Sequence, residues 1–231
     1  MTARAFDAIV FDLDGTLIDS LPDIRAALNC ALVEDGRREV SLAEAKAMIG
    51  EGAAALLDRA LAATGEALSG DSFDRLLARY LEFCRQAPAE LTVVYPGVFE
   101  VLERLRAEGL KMGICTNKPE SMSHLALGAL GMGHLFRAVV GGDTLDVRKP
   151  DGRHVVAVLD RMGADPGSAV MVGDSQTDMR AARDAGLPVV AVAYGYSGVP
   201  PEELDADLLI DGFEGLPEAL RRLGGVLADG A

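Results

Sequence analysis

Cysteine is scarce in this sequence. Cys30, Cys84 and Cys115 are odd in number and form no CxxC pair, so three buried, reduced thiols are expected rather than a disulfide framework. No run of about 18 apolar residues occurs, which argues against a membrane span. The first residues, MTARAFDAIVF, lack an apolar stretch long enough for export and run at once into charge, so the cytoplasm is the expected compartment. Positive charge is also in short supply. The 22 Lys and Arg residues face 36 Asp and Glu, a formal net charge of -14 that argues against a nucleic-acid or anionic-membrane surface. Such a chain binds anions only through a local cationic site, whose lysine or metal should be identifiable. Fixed-period repeats and low-complexity tracts are missing too.

What is present is a globular composition: 231 residues, 49% hydrophobic and 25% charged, enough for one large domain or a domain with an insertion. Short apolar runs, AIVF (8–11), LKMGICT (110–116), AVMVG (169–173) and PVVAVA (188–193), are bounded by Gly, Asp, Asn or Pro. Continuous runs of this kind suit strands buried on both faces of a parallel sheet. Helical patterns lie between them at 97–109, 118–131, 151–163 and 177–186, and several end in glycine. The alternation predicts a doubly wound, mainly parallel α/β sheet, a Rossmann-like core. From about 18 to 88 only helical patterns occur, four of them. Ser20 and Pro22 stand at the start of the first, and Ser41 with Glu44 forms a capping-box pattern at the second. The expected organisation is a core of residues 1–17 and 89–231 with a helical cap, 18–88, inserted after the first strand.

Ligands of open α/β sheets bind beyond the carboxyl ends of the strands. Here those ends carry Asp12 and Asp14, then Thr116-Asn117-Lys118, then Lys149 in the RKP loop after a presumed third strand, then Asp174 and Asp178 in GDSQTD. Strand alternation puts Asp12 and Asp14 on one side, with Leu13 facing the core. Four carboxylates against the single positive charge of Lys149 call for a cation, and oxygen-only donors without His or Cys point to Mg2+. With metal and Lys149 in place the site can accept a phosphate. One aspartate can attack phosphorus without a base, while its neighbour protonates the leaving oxygen and later activates water.

The four stretches Asp12-Leu13-Asp14-Gly15-Thr16, Thr116-Asn117, Lys149 and Gly173-Asp174-Ser175-Gln176-Thr177-Asp178 resemble, in order and placement, the motifs of the haloacid dehalogenase-like hydrolases. The helical insertion is similar to that superfamily's cap. The resemblance implies that Asp12 is the nucleophile and a Mg2+ ligand, and that Asp14 is the acid and base and ligates metal through its carbonyl. It also implies that Thr116 and Asn117 hold phosphoryl oxygens, Lys149 neutralises nucleophile and phosphate, Asp174 ligates Mg2+ and Asp178 supports the ligands from behind. FDLDGTLIDSLPDI, IGEGAAALLDRAL, VYPGV and TNKP further resemble the phosphoglycolate phosphatases, although Gly152 stands where that family often has proline. In this resemblance Gly50, Glu51 and Gly52 form the cap loop that reaches the active site and selects the substrate. The implied reaction takes a small phosphorylated metabolite, 2-phosphoglycolate, to glycolate and phosphate.

Other readings fit less well. A calcium loop would place glycine sixth and glutamate twelfth, whereas Gly15 is fourth and Asp23 twelfth, after a strand rather than a helix. A C–halogen hydrolase has no leaving oxygen for Asp14 to protonate. A phosphonate hydrolase would lack the Asp14 carboxyl and want an amine, for which Lys46 is the one cap lysine. A regulatory protein on a dead scaffold would be expected to have lost a catalytic carboxylate. Phosphatases of other small phosphoesters or pyrophosphate, and a sugar phosphomutase, keep every motif. His124, His134 and His154 show no ligand spacing. Arg25, Arg37, Arg38 and Lys46 read as a solvated cap face from which one residue could meet a substrate carboxylate. A monomer or homodimer is expected.

Overall fold

The apolar run Ala8–Phe11 forms the first strand, β1, and its residues alternate between two separately packed faces although all four are buried. Ile9 and Phe11 join one core layer, while Ala8 and Val10 join the other. The computed structural model describes residues 6–229, with side chains described as far as residue 224. In chain order the elements are β1, β2 (Ile18–Asp19), α1 (Leu21–Glu34), α2 (Leu42–Met48), α3 (Ala53–Thr64), α4 (Asp71–Gln86), β3 (Val93–Val94), α5 (Val98–Ala107) and β4 (Lys111–Cys115). There follow α6 (Glu120–Ala129), β5 (Ala138–Val140), α7 (Gly152–Met162), β6 (Ala169–Gly173), α8 (Gln176–Asp184), β7 (Val189–Val192), β8 (Leu208–Ile210) and α9 (Leu216–Asp229). Among the described residues no helix is long and apolar enough to cross a membrane.

Six strands lie in the order β5-β4-β1-β6-β7-β8, every neighbouring pair parallel. Helices α5, α6 and α9 pack apolar side chains on one face of the sheet, and α7 and α8 pack theirs on the other. This is the doubly wound α/β fold expected from the sequence. Two of its strands are too short to have given a periodic signal: the presumed third strand is the three-residue β5, and β8 at the far edge was not foreseen. The register sets the site. Phe11 is paired with Ile114 on one side and Val172 on the other, so the chain leaves β1, β4 and β6 at nearly the same level.

Helices α1 to α4 share a core of their own, built on Leu28, Leu32, Leu57, Leu61 and Tyr80. The stretch from 18 is not purely helical, because Ile18 and Asp19 pair antiparallel with Val93 and Val94 where the chain leaves and re-enters the sheet. The Asp23 carboxylate accepts from the Leu91 and Thr92 backbone amides and closes the same junction. Ser41 and Glu44 make the expected capping box. Ser20 stands at the start of α1 but does not cap it; its hydroxyl donates to Asp14. The cysteines also depart from expectation. Only Cys115 is buried; Cys30 is exposed and Cys84 half-buried, all three free.

The separate helical core has a measurable consequence. Leu57 is fully buried in it, so Leu57→Ala should destabilise the protein by about 2–5 kcal/mol, as truncated core leucines do. Urea unfolding checks this. An unchanged midpoint would show that the four helices are not held by a core of their own.

Candidate active site

β1 ends at Phe11, and the next residues turn sharply. Gly15 has φ +92°, and a Cβ there would stand 2.5 Å from Asp174 Oδ2, so only glycine lets the β1 loop approach the β6 loop so closely. The approach is fixed by two hydrogen bonds to Asp174: Thr16 Oγ1 donates to Oδ1 at 3.1 Å and Tyr196 N donates to Oδ2 at 2.6 Å. Leu13 points into the core as expected, and Asp12 and Asp14 face one cavity.

Asp12, Asp174 and Asp178 are all buried, each with an oxygen within 4.8 Å of the other two. Lys149, 3% exposed, bridges two of them, its Nζ lying 2.7 Å from Asp12 Oδ1 and 2.6 Å from Asp178 Oδ1. Asp178 Oδ2 accepts from Ser175 Oγ at 2.6 Å and from the Asp174 and Ser175 amides, which also caps α8. Both oxygens of Asp178 are therefore engaged by protein groups. Burial raises the Asp12 carboxyl well above the ordinary range; Lys149 opposes this, while Asp178 and Asp174 add to it. Burial, followed by the Asp178 charge, pushes Asp174 up to about 7. Burial alone would discharge Lys149, but Asp12 and Asp178 outweigh it and keep the ammonium charged.

Asp14 stands apart from this cluster. Its carboxylate accepts from the Ser20 hydroxyl and from Lys118 Nζ at 2.9 Å. The expected balance of four carboxylates against one lysine is thus corrected: Asp14 is paired with Lys118, and the cluster of three carboxylates has Lys149, which touches two of them. Burial works against the charge of Lys118, and the adjacent Asp14 overcomes it and raises its pKa.

The structure brings Asp12, Asp14, Thr116, Asn117, Lys149, Asp174, Gly50, Glu51 and Gly52 together around one cavity of ≈ 320 Å³, with Asp178 behind the wall. Thr116 Oγ1 accepts from the Lys118 amide, which leaves its proton for a ligand. Asn117 differs from expectation: its side-chain nitrogen donates to Gly50 O at 2.9 Å and Lys149 O at 3.1 Å. It therefore joins the turn before α3 to the loop after β4, and its buried Oδ1 has no partner among the described residues. Glu51 pairs with Arg59.

The expected cap arginine does not line the cavity. Arg37 is spent on Asp35, Leu61 O and Glu66 O, and Arg38 on Glu44 and Ala63 O. Lys46 donates to Gly195 O. The cations on the cavity wall are Lys118 and Lys149. Sequence reasoning passed over Lys118, although it lies in the Thr116-Asn117-Lys118 stretch, because its partner Asp14 is far away in the chain. It also missed Tyr196. Besides its amide on Asp174, the Tyr196 hydroxyl donates to Asp19 at 2.6 Å and accepts from Leu21 N at 3.0 Å, and its ring packs on the helical core. Nothing in the sequence around Tyr196 distinguished it from a strand-end loop.

Comparison with known proteins agrees with this geometry. The pattern described as Haloacid dehalogenase-like hydrolase matches residues 9–192. A phosphoglycolate phosphatase of Caulobacter vibrioides is 41% identical over 211 residues, 91% of this chain and 89% of that one. One of Rhodospirillum rubrum is 44% identical over 217 residues, 92% and 90% of the two chains. The crystal structure of a predicted phosphoglycolate phosphatase from Haemophilus somnus superposes with TM-score 0.88 at 33% identity, covering 93% of this chain and 98% of the other. Fold, acidic cluster and relatives agree with the resemblance drawn from the four motifs, and the chain belongs to the haloacid dehalogenase-like hydrolases as an enzyme similar to the phosphoglycolate phosphatases.

Proposed function

We propose that this hydrolase is a Mg2+-dependent phosphomonoesterase that carries the phosphoryl group transiently on Asp12, with 2-phosphoglycolate as its substrate. The observation that carries the reading is the meeting, at the wall of one small cavity, of the buried Asp12–Asp174–Asp178 cluster with two lysines. The donor set fits Mg2+. It is all oxygen, it is buried, and the three carboxylates have one ammonium among them, paired with two, so the cluster is short of positive charge. Asp178 lies behind the cavity wall with four protein donors on its two oxygens, whereas Asp12 and Asp174 line the cavity and Asp174 has a single donor on each oxygen. Asp12 and Asp174 would therefore hold the ion, with the carbonyl of Asp14. When bound, Mg2+ offsets the charge of the carboxylates and the phosphoryl oxygens, so that an anionic nucleophile can reach phosphorus.

The chain's own groups do the rest. Lys149 holds Asp12 from one side and offers positive charge beside the phosphoryl group, and the Thr116 hydroxyl donates to a phosphoryl oxygen. Asp12 attacks phosphorus and the ester P–O bond breaks. Asp14 gives its proton to the leaving oxygen, then takes one from the water that attacks the phosphorus of the aspartyl-phosphate, which frees phosphate and restores Asp12. The helical segment 18–88 acts as the cap: Gly50 to Gly52 close over Asn117 and exclude bulk water.

Lys118 selects the substrate. Within a cavity near the lower end of the usual range for ligand pockets, a two-carbon ester has few atoms to bind, so its carboxylate is the main handle. Lys149 is committed to two carboxylates, Asp12 and Asp178, whereas Lys118 is shared with Asp14 and stands on the cavity wall, so it is the cation that can also meet the substrate carboxylate.

Phosphate release in Mg2+ from 2-phosphoglycolate, ethyl phosphate, a hexose phosphate and pyrophosphate tests both claims. Turnover should cease on chelation and be fastest, as kcat/KM, with phosphoglycolate. Lys118→Met should lower the phosphoglycolate to ethyl phosphate ratio about 10- to 150-fold, as expected for a charge-assisted contact of about 1.5–3 kcal/mol. A ratio unchanged by Lys118→Met removes Lys118 from recognition, and a preference for hexose phosphate or pyrophosphate overturns the substrate.

The crowded carboxylates give a second test. In chelator, wild-type protein should lose stability as pH rises from about 4 through 7, because the folded state holds a proton on Asp174 that the unfolded chain releases near pH 4. Asp174→Asn, whose amide can donate to Thr16 Oγ1, should therefore be more stable than wild type at pH 8 by about 2–4 kcal/mol, the gap closing toward pH 4. A pH-independent difference would show that Asp174 is not crowded by charge.

A further inference from the structure

His154 is fully buried in α7 and takes no part in the chemistry above, yet it touches both ends of the β5–α7 loop that carries Lys149 and the last residue of β4. Its Nε2 lies 3.0 Å from the carbonyl oxygen of Gly141, just after β5. A carbonyl only accepts, so Nε2 carries the ring proton. Nδ1 is then an acceptor, and the Lys149 backbone amide donates to it at 3.3 Å. The Cys115 Sγ at the end of β4 is 3.4 Å from the same nitrogen. Burial pushes the Cys115 thiol up to about 12, so it remains S–H and can donate to the Nδ1 lone pair. Lys149 is gripped on its other side as well, its carbonyl accepting from Asn117 Nδ2 at 3.1 Å.

We propose that His154, as a neutral imidazole protonated on Nε2, is the positioning residue for the Lys149 ammonium, fixing the backbone from which that side chain reaches Asp12 and Asp178. The claim rests on the role given to Lys149 above. An ammonium seated 2.6–2.7 Å from two carboxylates has little tolerance, and a misplacement of about 1 Å at a catalytic group costs ~10²-fold in rate. Protonating His154 would turn the acceptor of the Lys149 amide into a second donor. Burial and the Lys149 charge hold its pKa below the ordinary 6.5, against the Gly141 carbonyl and Asp151, which favour the cation; the Cys115 thiol is the remaining titratable group against the ring. The neutral ring's contribution to stability is thus present above pH 6.5 and is lost as pH falls through its lowered value.

Imidazole nitrogen NMR of the full chain tests the tautomer without reference to activity. There are three histidines, and the signal missing from His154→Asn assigns this one. Nδ1 should give a pyridine-type and Nε2 a pyrrole-type shift, unchanged down to about pH 6, below the usual histidine pKa. A proton on Nδ1 overturns the proposal. In kinetics, Asn places an acceptor oxygen where Nδ1 stands, so His154→Asn should keep a kcat near wild type. Gln restores only the Gly141 contact and Leu neither, so both should lose ~10²-fold in kcat while remaining folded. Equal losses in Asn and Gln would make His154 a packing residue only, a result that Gln still gives if Leu fails to fold. A wild type inactive on every phosphoester would instead sink the reading of the site, and the tautomer would still decide whether His154 holds the Lys149 loop.

Discussion

Lys149 Nζ stands 2.7 Å from Asp12 and 2.6 Å from Asp178 in a place almost closed to water, and the rest of the site is arranged to make that possible. Removing a lysine and two aspartates from solvent costs several kcal/mol per ion unless every lone pair and proton finds a partner. Asp178 meets the requirement with four donors, three of them from its own loop. Asp12 and Asp174 meet it less fully, Asp174 with one donor on each oxygen, and burial pushes both upward. A well-satisfied ion pair beside two carboxylates that burial pushes toward protonation suits the proposed binding of a cation and then an anion. The parallel register of β4, β1 and β6 is what brings these chain segments to one level.

The four helices reach the same site through specific bonds rather than general contact. Asn117 donates to Gly50 O, Lys46 to Gly195 O, and Tyr196 links Asp174 to Asp19 and to the first amide of α1. Gly195 has to be glycine, since a Cβ there would run into the Asp174 side chain. Ser20, at the point where the helices begin, donates to Asp14. Asp14 is thus tied to the start of α1 through Ser20, and Asp174 is tied to it through Tyr196.

What could be read from the sequence was what is local. The buried strands announced themselves as apolar runs, the Ser41–Glu44 box as a spacing, and the candidate site as polar residues directly after strands. Pairings across long separations stayed hidden. Lys118 meets Asp14 only because β4 lies beside β1, and Ser20 looked like a helix cap although a carboxylate competes for its hydroxyl. His154 seemed idle because its partners are two backbone groups and a thiol, none of which forms a motif. β5 and β8, at three residues each, are strands because a neighbour offers its edge rather than through any pattern of their own.

The central claim is that Asp12 takes the phosphoryl group. An acyl phosphate is reduced by borohydride to an alcohol, so quenching the enzyme into borohydride during turnover of 2-phosphoglycolate with Mg2+ should convert Asp12 to homoserine. Mass spectrometry of the peptide bearing Asp12 reads the change directly. The account predicts homoserine at position 12, absent without substrate or after chelation. An unmodified Asp12 in enzyme that is releasing phosphate, or conversion at another aspartate, would contradict it.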